Sequence, residues 1–241
     1  MLLTYKTILS QKSQLNSNTY LYYFNLLEPK EINFKAGQYL MLKVPSDKGP
    51  VSRLYSIASS STEKNNFELI IEIVPNGIAS NYLTNLKVND EASFQGPAGM
   101  FGLEENDRSK IFMVTGTGIA PIRSILISNI NPSAGGQKFI LFWGLKTYED
   151  VYLLDDLKSI FAKATMDKQF SFKICLSREQ NLDMIPVEDK KFFELGHIDS
   201  FSPQLTTADY YLCGGRNVVE SLKQFLLSKN ILQENIFFEK F

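Results

Sequence analysis

The pattern of the sequence changes near residue 105, and this change limits the possible folds more than any other feature. Before it, short segments rich in β-branched and aromatic residues are separated by turn-forming clusters. Beyond it, strand-like segments alternate with helical ones. The first pattern indicates an antiparallel barrel or sandwich, and the second indicates a parallel sheet covered by helices. We therefore predict two domains, over residues 1–105 and 106–241.

The element boundaries follow from the same patterns. In the first domain the predicted strands cover residues 19–27, 39–44, 54–58, 67–74 and 92–95, and a short helix follows the Asn76-Gly77 turn. In the second domain the predicted strands cover residues 111–114, 139–143, 170–176, 210–213 and 236–238. One predicted helix follows the first of these strands and ends near residue 130, and two others cover residues 151–164 and 218–228. The segment from 177 to 209 stays unassigned.

Composition narrows the class of protein. The 241 residues are 44% hydrophobic and 21% charged, which is ordinary for a globular protein. With 25 basic and 26 acidic residues the net charge is −1, so no basic field indicates nucleic acid or an anionic membrane as partner. No segment predicts a signal peptide or a membrane span, and two cysteines are too few for an iron–sulfur cluster. We expect a cytoplasmic protein.

A glycine-rich bend joins a predicted strand to a predicted helix between Thr115 and Pro121. Gly116 and Gly118 permit unusual backbone angles and a close ligand approach, and Pro121 suits the first turn of a helix. Free amides at such a helix start attract a phosphate, and Thr117 lies among them. The alternative is an ordinary strand-to-helix turn of a parallel sheet.

Five motifs in order resemble those of the ferredoxin-NADP reductase family. They are Arg53-Leu54-Tyr55-Ser56, the run 96–101 (GPAGMF), the run 115–121, Cys213-Gly214-Gly215 and the ending Glu239-Lys240-Phe241. The resemblance spans essentially the whole chain. It implies an antiparallel Greek-key β-barrel that binds FAD, followed by a Rossmann-like α/β domain that binds NADP(H) or NAD(H).

The resemblance assigns roles to the first two motifs and the helix after them. Arg53 offers a planar set of donors for the FAD diphosphate, Tyr55 a flat face for the flavin ring, and Ser56 a hydroxyl near its reactive nitrogen. Leu54 belongs to the same cofactor-binding strand. The alternative for this motif is an edge strand with one solvated arginine.

The helix after Gly77 would direct the amides of Ala79 and Ser80 at the same diphosphate. Many relatives have a basic residue on the preceding strand, where this chain has Glu72. A carboxylate near phosphates is unfavourable, so FMN stays open as an alternative to FAD.

The catalytic residues implied by the resemblance are Ser56, Cys213 and Glu239. Cys213 would contact the nicotinamide, next to Gly214, and Glu239 would orient the site through hydrogen bonds. Phe241 replaces the terminal tyrosine of the plant-type members and would stack on the flavin without a hydroxyl to anchor it. The alternatives are a buried strand-end thiol and packing of a terminal strand.

Coenzyme choice depends on Ser177 and Arg178, which follow a predicted strand. In NADP-using relatives a serine and an arginine at this place bind the 2′-phosphate, which favours NADPH. The lysine and tyrosine that assist in plant-type enzymes have no counterpart in residues 181–186, so NADH stays open.

His197 is the only histidine, and we predict no metal site; Trp143 and Gly144 are assigned to packing and a turn.

The function implied is electron transfer between NAD(P)H and a ferredoxin or flavodoxin through FAD. Three alternatives stay open. The chain could reduce free flavin or a small acceptor, or serve as the electron-transfer subunit of an oxygenase or larger redox complex. The third is a nucleotide-binding regulator without catalysis.

Overall fold

The computed structural model describes residues 2–46, 49–130, 137–164 and 169–241. The chain divides into two compact bodies. The first comprises Met1–Leu103 together with Ala120–Ser128, and the second comprises Glu104–Ile119 together with Asn129–Phe241. The domain boundary at residue 105 stays a prediction; the segment Ala120–Ser128, which lies beyond it in the sequence, groups with the first body.

The first body contains a curled antiparallel sheet of six strands in the order β4-β3-β6-β1-β2-β5. The two edge strands approach each other, because Ile57 pairs with Leu69 and the amide of Ala58 donates to the carbonyl of Glu68 (2.8 Å). The predicted antiparallel barrel is thereby confirmed. Its elements are β1 (Leu3–Gln14), β2 (Thr19–Glu28), β3 (Tyr39–Val44), β4 (Val51–Ser56), β5 (Asn66–Glu72), helix α1 (Ile78–Asn85) and β6 (Glu91–Ala98).

Side chains alternate across these strands and fill the inside of the curled sheet. Phe24, Phe67 and Phe94 pack together with ring centroids 4.9 to 5.5 Å apart. Helix α1 closes this core with Ala79 and Leu83, both buried. The core therefore fixes the helix against the sheet.

The second body contains six parallel strands in the order β10-β9-β8-β7-β11-β12, which confirms the predicted α/β domain. The chain adds β8, β9 and β10 on one side of β7, and then β11 and β12 on the other. A switch point therefore lies between β7 and β11, where ligands of open α/β sheets bind. The strands are β7 (Ser109–Thr115), β8 (Phe139–Leu145), β9 (Phe170–Leu176), β10 (Phe193–Leu195), β11 (Ala208–Gly214) and β12 (Ile236–Lys240), and the helices of this body are α3 (Leu154–Ala164) and α4 (Arg216–Ser228). Helix α2 (Ile119–Asn129) follows β7 in the sequence, and its residues 120–128 group with the first body.

A buried ionic cluster lies at the amino ends of β7 and β11. Lys110, fully buried, donates to Asp209 (2.8 Å), to Asn106 (2.7 Å) and to the carbonyl of Glu104 (2.9 Å). Arg108 donates to the other oxygen of Asp209 (2.6 Å). The first residues of the second body are thus held against its own sheet.

Two strands were not predicted. Strand β1 was missed because Thr7, a polar residue, points inward and donates its hydroxyl to the carbonyl of Ala92 (2.9 Å), which interrupts the apolar alternation. Strand β10 has only three residues, Phe193–Leu195, too few for a periodic pattern. Among the described residues, no helix has the length and apolar character needed to cross a membrane.

Candidate functional site

The sequence-predicted residues fall on both bodies. Arg53, Leu54, Tyr55, Ser56, Gly77, Ala79, Ser80 and Pro121 belong to the first body, and Thr115, Gly116, Thr117, Gly118, Ser177, Arg178, Cys213, Gly214, Glu239 and Phe241 belong to the second. Apart from Pro121, the first group lies on strand β4 and at the start of helix α1, and the second lies at the carboxyl ends of strands of the parallel sheet. Pro121 lies in the first turn of α2, as its fixed φ allows.

In the first body, the edge strand β4 presents Arg53 and Tyr55 on the same face. Arg53 is exposed, and its Nη1 atom donates to the carbonyl of Ser52 (2.9 Å). Tyr55 is half-buried against the core. Burial raises the pKa of its hydroxyl above the usual value, and the nearby Arg53 offsets only part of this shift. Leu54 points to the other face and is 56% exposed. A guanidinium beside a partly exposed aromatic face fits a phosphate joined to a planar ring.

Helix α1 begins at the Gly77 cap without any capping side chain. The first-turn amides of Ile78, Ala79 and Ser80 have no carbonyl partner within the helix, since the first intrahelical bond joins Asn81 to Gly77 (2.8 Å). The Ser80 hydroxyl instead accepts from the amide of Val74 (2.9 Å), which folds the preceding turn onto the helix. This helix start fits an anionic group such as a diphosphate.

Tyr22 joins strand β2 to helix α1. The Tyr22 hydroxyl donates to the carbonyl of Leu83 in α1 (3.3 Å). Burial, followed by the neighbouring Tyr20 and Tyr55, raises the pKa of Tyr22. Tyr55 packs against the same core cluster that includes Tyr22 and Leu83, so Tyr55 and the helix both contact the core inside the curled sheet.

Glu72, which replaces the basic residue of many relatives, is exposed at the end of β5. Its carboxylate accepts from the Nδ2 atom of Asn18 (2.9 Å). The carboxylate is thus bound to the neighbouring turn.

In the second body, the predicted glycine turn lies at the carboxyl end of β7, beside the switch point. Residues Gly116–Gly118 form a single 3₁₀ turn that continues directly into α2. Gly116 has a φ of +53°, in the left-handed region, and a Cβ on it would meet open space. This backbone is therefore accessible to a ligand.

Gly118 and Gly214 make the two strand ends approach closely. A Cβ on Gly118 would lie 2.6 Å from the carbonyl carbon of Cys213 and 3.0 Å from the amide nitrogen of Gly214. A Cβ on Gly214, whose φ is +149°, would overlap the hydroxyl of Thr115. Only glycine fits at both positions, so the turn after β7 and the end of β11 form one surface.

Trp143 holds the glycine turn after β7 by a hydrogen bond. The sequence analysis did not predict this role of Trp143. Its indole Nε1 donates to the carbonyl of Gly116 (3.0 Å), and its ring packs edge-on against Tyr152 (4.8 Å between centroids). The chain had offered one signal: a single tryptophan at the end of a strand that neighbours the glycine turn. Tryptophan needs a partner for its N–H when buried, and a turn carbonyl is such a partner.

Cys213 and Glu239 lie opposite each other in the parallel pairing of β11 with β12. The Cys213 side chain is 1% exposed, whereas Glu239 is half-buried. Burial, and then the charge of Glu239, raises the pKa of the Cys213 thiol well above its usual value. Cys213 is therefore a buried, neutral thiol beside a half-buried carboxylate.

Ser177 and Arg178 follow β9 and are fixed by the end of β8. The Ser177 hydroxyl donates to the carbonyl of Leu145 (3.2 Å), and the amide of Arg178 donates to the carbonyl of Lys146 (2.8 Å). The Arg178 side chain is exposed. It can therefore meet an anionic group at the carboxyl edge of the sheet.

Phe241 is 60% exposed, and its backbone is bound on both sides: its amide donates to the carbonyl of Gly214 (3.3 Å) and its carbonyl accepts from Arg216 (3.2 Å). His197 is exposed in a turn. Among the residues that the structure describes, no group of histidine, cysteine, aspartate and glutamate side chains could hold a metal ion.

The two domains are those of an oxidoreductase that combines an FAD-binding barrel with an NAD-binding α/β domain, as two family models show. Residues 6–102 match the family model described as the oxidoreductase FAD-binding domain, and residues 112–224 match the oxidoreductase NAD-binding domain. The chain belongs to the ferredoxin-NADP reductase family, as the five motifs predicted.

The relatives that the chain matches include an oxygenase electron transfer component and a ferredoxin–NADP reductase. The chain is 29% identical to the electron transfer component of toluate 1,2-dioxygenase from Pseudomonas putida, over 98% of this chain and 67% of that protein. It is 33% identical to ferredoxin–NADP reductase B from Sorangium cellulosum, over 64% of this chain and 62% of that protein. The chain thus spans about two thirds or less of the length of these curated relatives.

Among solved structures, the Amycolatopsis cytochrome P450 reductase matches with a TM-score of 0.83 and 25% identity, over 100% of this chain and 70% of that chain. The likeness includes both domains and their order.

Proposed function

We propose that this chain takes a hydride from NAD(P)H and passes the electrons singly, through bound FAD, to a separate redox protein such as a ferredoxin or flavodoxin. The observation that carries this proposal is the content of the two bodies. The first has a helix start without a capping side chain and, on strand β4, an exposed arginine and a half-buried tyrosine; the second has a glycine turn at the switch point of a parallel sheet. The first combination fits FAD and the second fits a pyridine nucleotide.

When bound, FAD supplies a ring that accepts a hydride and gives up electrons one at a time. The residues of this chain bind and orient. Arg53 and the amides of Ala79 and Ser80 would neutralise the diphosphate, Tyr55 would cover the ring, and the Ser56 hydroxyl would position its reacting edge.

In the second body, the backbone of residues 116–118 would receive the nucleotide phosphates. Arg178 would bind a 2′-phosphate, which favours NADPH over NADH. Cys213 would contact the nicotinamide as a neutral thiol, and Glu239 would orient it by accepting hydrogen bonds. Because the protein fixes distance and angle, none of these residues needs to transfer a proton.

A second candidate is the electron-transfer component of an oxygenase. The resemblance to the toluate 1,2-dioxygenase component over 98% of this chain favours it. The two cysteines of the chain are both buried, so the iron–sulfur centre would reside elsewhere. The two candidates differ in the acceptor and not in the use of FAD and NAD(P)H.

The test begins with the apoprotein reconstituted with FAD and then with FMN. We expect a yellow protein that holds FAD more tightly and bleaches when NADPH is added without oxygen. A protein that binds neither flavin would overturn the proposal. Cytochrome c reduction is then measured with and without added ferredoxin or flavodoxin. A rate that depends on the added protein supports transfer to a redox protein, whereas reduced flavin released into solution identifies a flavin reductase.

A further inference from the structure

Lys12 of β1 binds the far end of the helix that we assign to the FAD diphosphate. Its Nζ atom donates to the carbonyl oxygens of Leu83 (3.0 Å) and Thr84 (2.9 Å), in the last turn of α1. The same ammonium group lies 5.3 Å and 5.4 Å from the ring centroids of Tyr20 and Tyr22. One cation thus joins the helix to two strands.

The two ends of α1 differ in their hydrogen bonds to the rest of the first body. At the C-terminal end, Lys12 and the Tyr22 hydroxyl both donate to helix carbonyls, including a shared one at Leu83. At the N-terminal end, Gly77 provides no capping side chain. The sheet therefore holds the helix by its C-terminal carbonyls and leaves the opposite amides for a ligand.

We propose that Lys12 is a positioning residue for the FAD diphosphate. It holds α1 so that the amides of Ala79 and Ser80 face the phosphates, without itself touching them. With eight residues the helix is about 12 Å long and moves as one unit, so a shift at Leu83 is carried to Ala79. The ammonium group also complements the negative end of the helix dipole. This inference rests on the proposed function, since it presumes FAD at this helix.

The test measures FAD affinity of the apoprotein by quenching of flavin fluorescence. We expect Lys12→Met to weaken binding about tenfold, as the loss of hydrogen bonds from a charged donor predicts. Lys12→Arg should stay within about twofold of the native protein, because a guanidinium also offers two donors. Lys6→Met is the matched control. Lys6 lies on the same strand and is exposed, and its ammonium group pairs with Glu28 at 3.5 Å, so the FAD affinity of this variant should equal that of the native protein.

A purely structural role is separated by two further readouts. With saturating FAD, kcat of Lys12→Met should equal that of the native protein. Amide hydrogen exchange of the apoprotein should rise in α1 and not in the six strands around it. An unchanged FAD affinity, an equal loss in Lys12→Arg, or faster exchange throughout the first body would overturn the proposal.

Should Lys12→Met not fold, Lys12→Gln takes its place, because it keeps a polar side chain and removes the ammonium group that binds the carbonyls of Leu83 and Thr84. A loss of FAD affinity of about twofold or threefold supports the proposal, and no change overturns it. If the native apoprotein does not bind FAD, the proposed function fails and this inference with it. If it binds FAD and the variants bind equally well, only the role of Lys12 is refuted.

Discussion

Cys213 and Glu239 face each other across two adjacent parallel strands, with the thiol buried and the carboxylate half-exposed. The register places a negative charge beside a group that would become negative on ionisation. Burial and this charge both raise the pKa of the thiol. Cys213 is therefore neutral at physiological pH and is unsuited to act as a thiolate nucleophile.

The first prediction concerns thiol chemistry. Burial raises the pKa of Cys175 to about 12, and Cys213 is also shifted upward, so neither thiol should react with a disulfide reagent near pH 8. Both should react once urea unfolds the chain. Hydride transfer should show no ionisation of Cys213 between about pH 6 and 9. Rapid labelling of Cys213 in the folded protein would contradict this picture.

The second prediction concerns Gly118→Ala. The added methyl group meets backbone atoms of Cys213 and Gly214, which cannot rotate away, so we expect a loss of about 3 kcal/mol in unfolding free energy. The variant should also bind NAD(P)H more weakly, measured by titration of the FAD-loaded protein. Gly215→Ala is the control: its methyl group meets nothing within 4 Å and should cost about 1 kcal/mol or less. Equal stability of the two variants would argue against the close approach.

The third prediction concerns coenzyme choice. Arg178→Ala should raise KM for NADPH at least about tenfold and leave KM for NADH nearly unchanged, because only the 2′-phosphate needs a charged donor. Lys229→Ala removes an exposed cation just beyond the C-terminal end of α4 and should change neither constant. Equal losses for both coenzymes would refute the assignment of Arg178.

The fourth prediction concerns Ser56, half-buried and paired with Tyr39 across the β3–β4 ladder. Ser56→Ala should slow hydride transfer in single-turnover experiments about tenfold or more, because the flavin edge loses its positioning hydroxyl. FAD affinity should be retained, since the diphosphate contacts remain. Ser52→Ala, on the same strand, is the control. A native transfer rate in Ser56→Ala would remove this residue from the catalytic set.

The fifth prediction concerns the ionic cluster at Asp209. Asp209→Asn leaves the buried Lys110 without its counter-charge and should cost about 3–5 kcal/mol in urea denaturation. Glu28→Gln breaks the exposed pair with Lys6 and should cost at most about 1 kcal/mol. Comparable losses of unfolding free energy in both variants would show that the buried cluster contributes no more to stability than an exposed ion pair.

The same cluster gives a pH dependence with a definite sign. Burial alone would raise the pKa of Asp209, but hydrogen bonds from Lys110, Asn106 and Arg108 outweigh it and hold the pKa below its ordinary value. Its stabilisation is therefore complete above the unfolded pKa of about 3.9 and is lost as pH falls through the lower folded value. The difference in unfolding free energy between the native protein and Asp209→Asn should become smaller as the pH falls below about 3.9. A difference that stays constant would contradict the assignment.

Local patterns predicted most of the secondary structure. The strand predicted at residues 111–114 is β7, and the helix predicted after Gly77 is α1. Strand β4 begins three residues earlier than predicted, because exposed positions such as Arg53 and Leu54 dilute an alternating pattern on an edge strand. The roles of the predicted site residues stay predictions, since they depend on ligands and not on local pattern.

The two-domain architecture, the element types and the family could all be predicted from the sequence, because side-chain period and short motifs are local properties. Which distant residues meet became visible in the folded chain alone. Lys12 reaches Leu83 across 71 positions, Gly118 reaches Cys213, and Trp143 holds Gly116. These contacts depend on strand order and on the curl of a sheet, which arise from packing the whole chain and leave no periodic trace in any one segment.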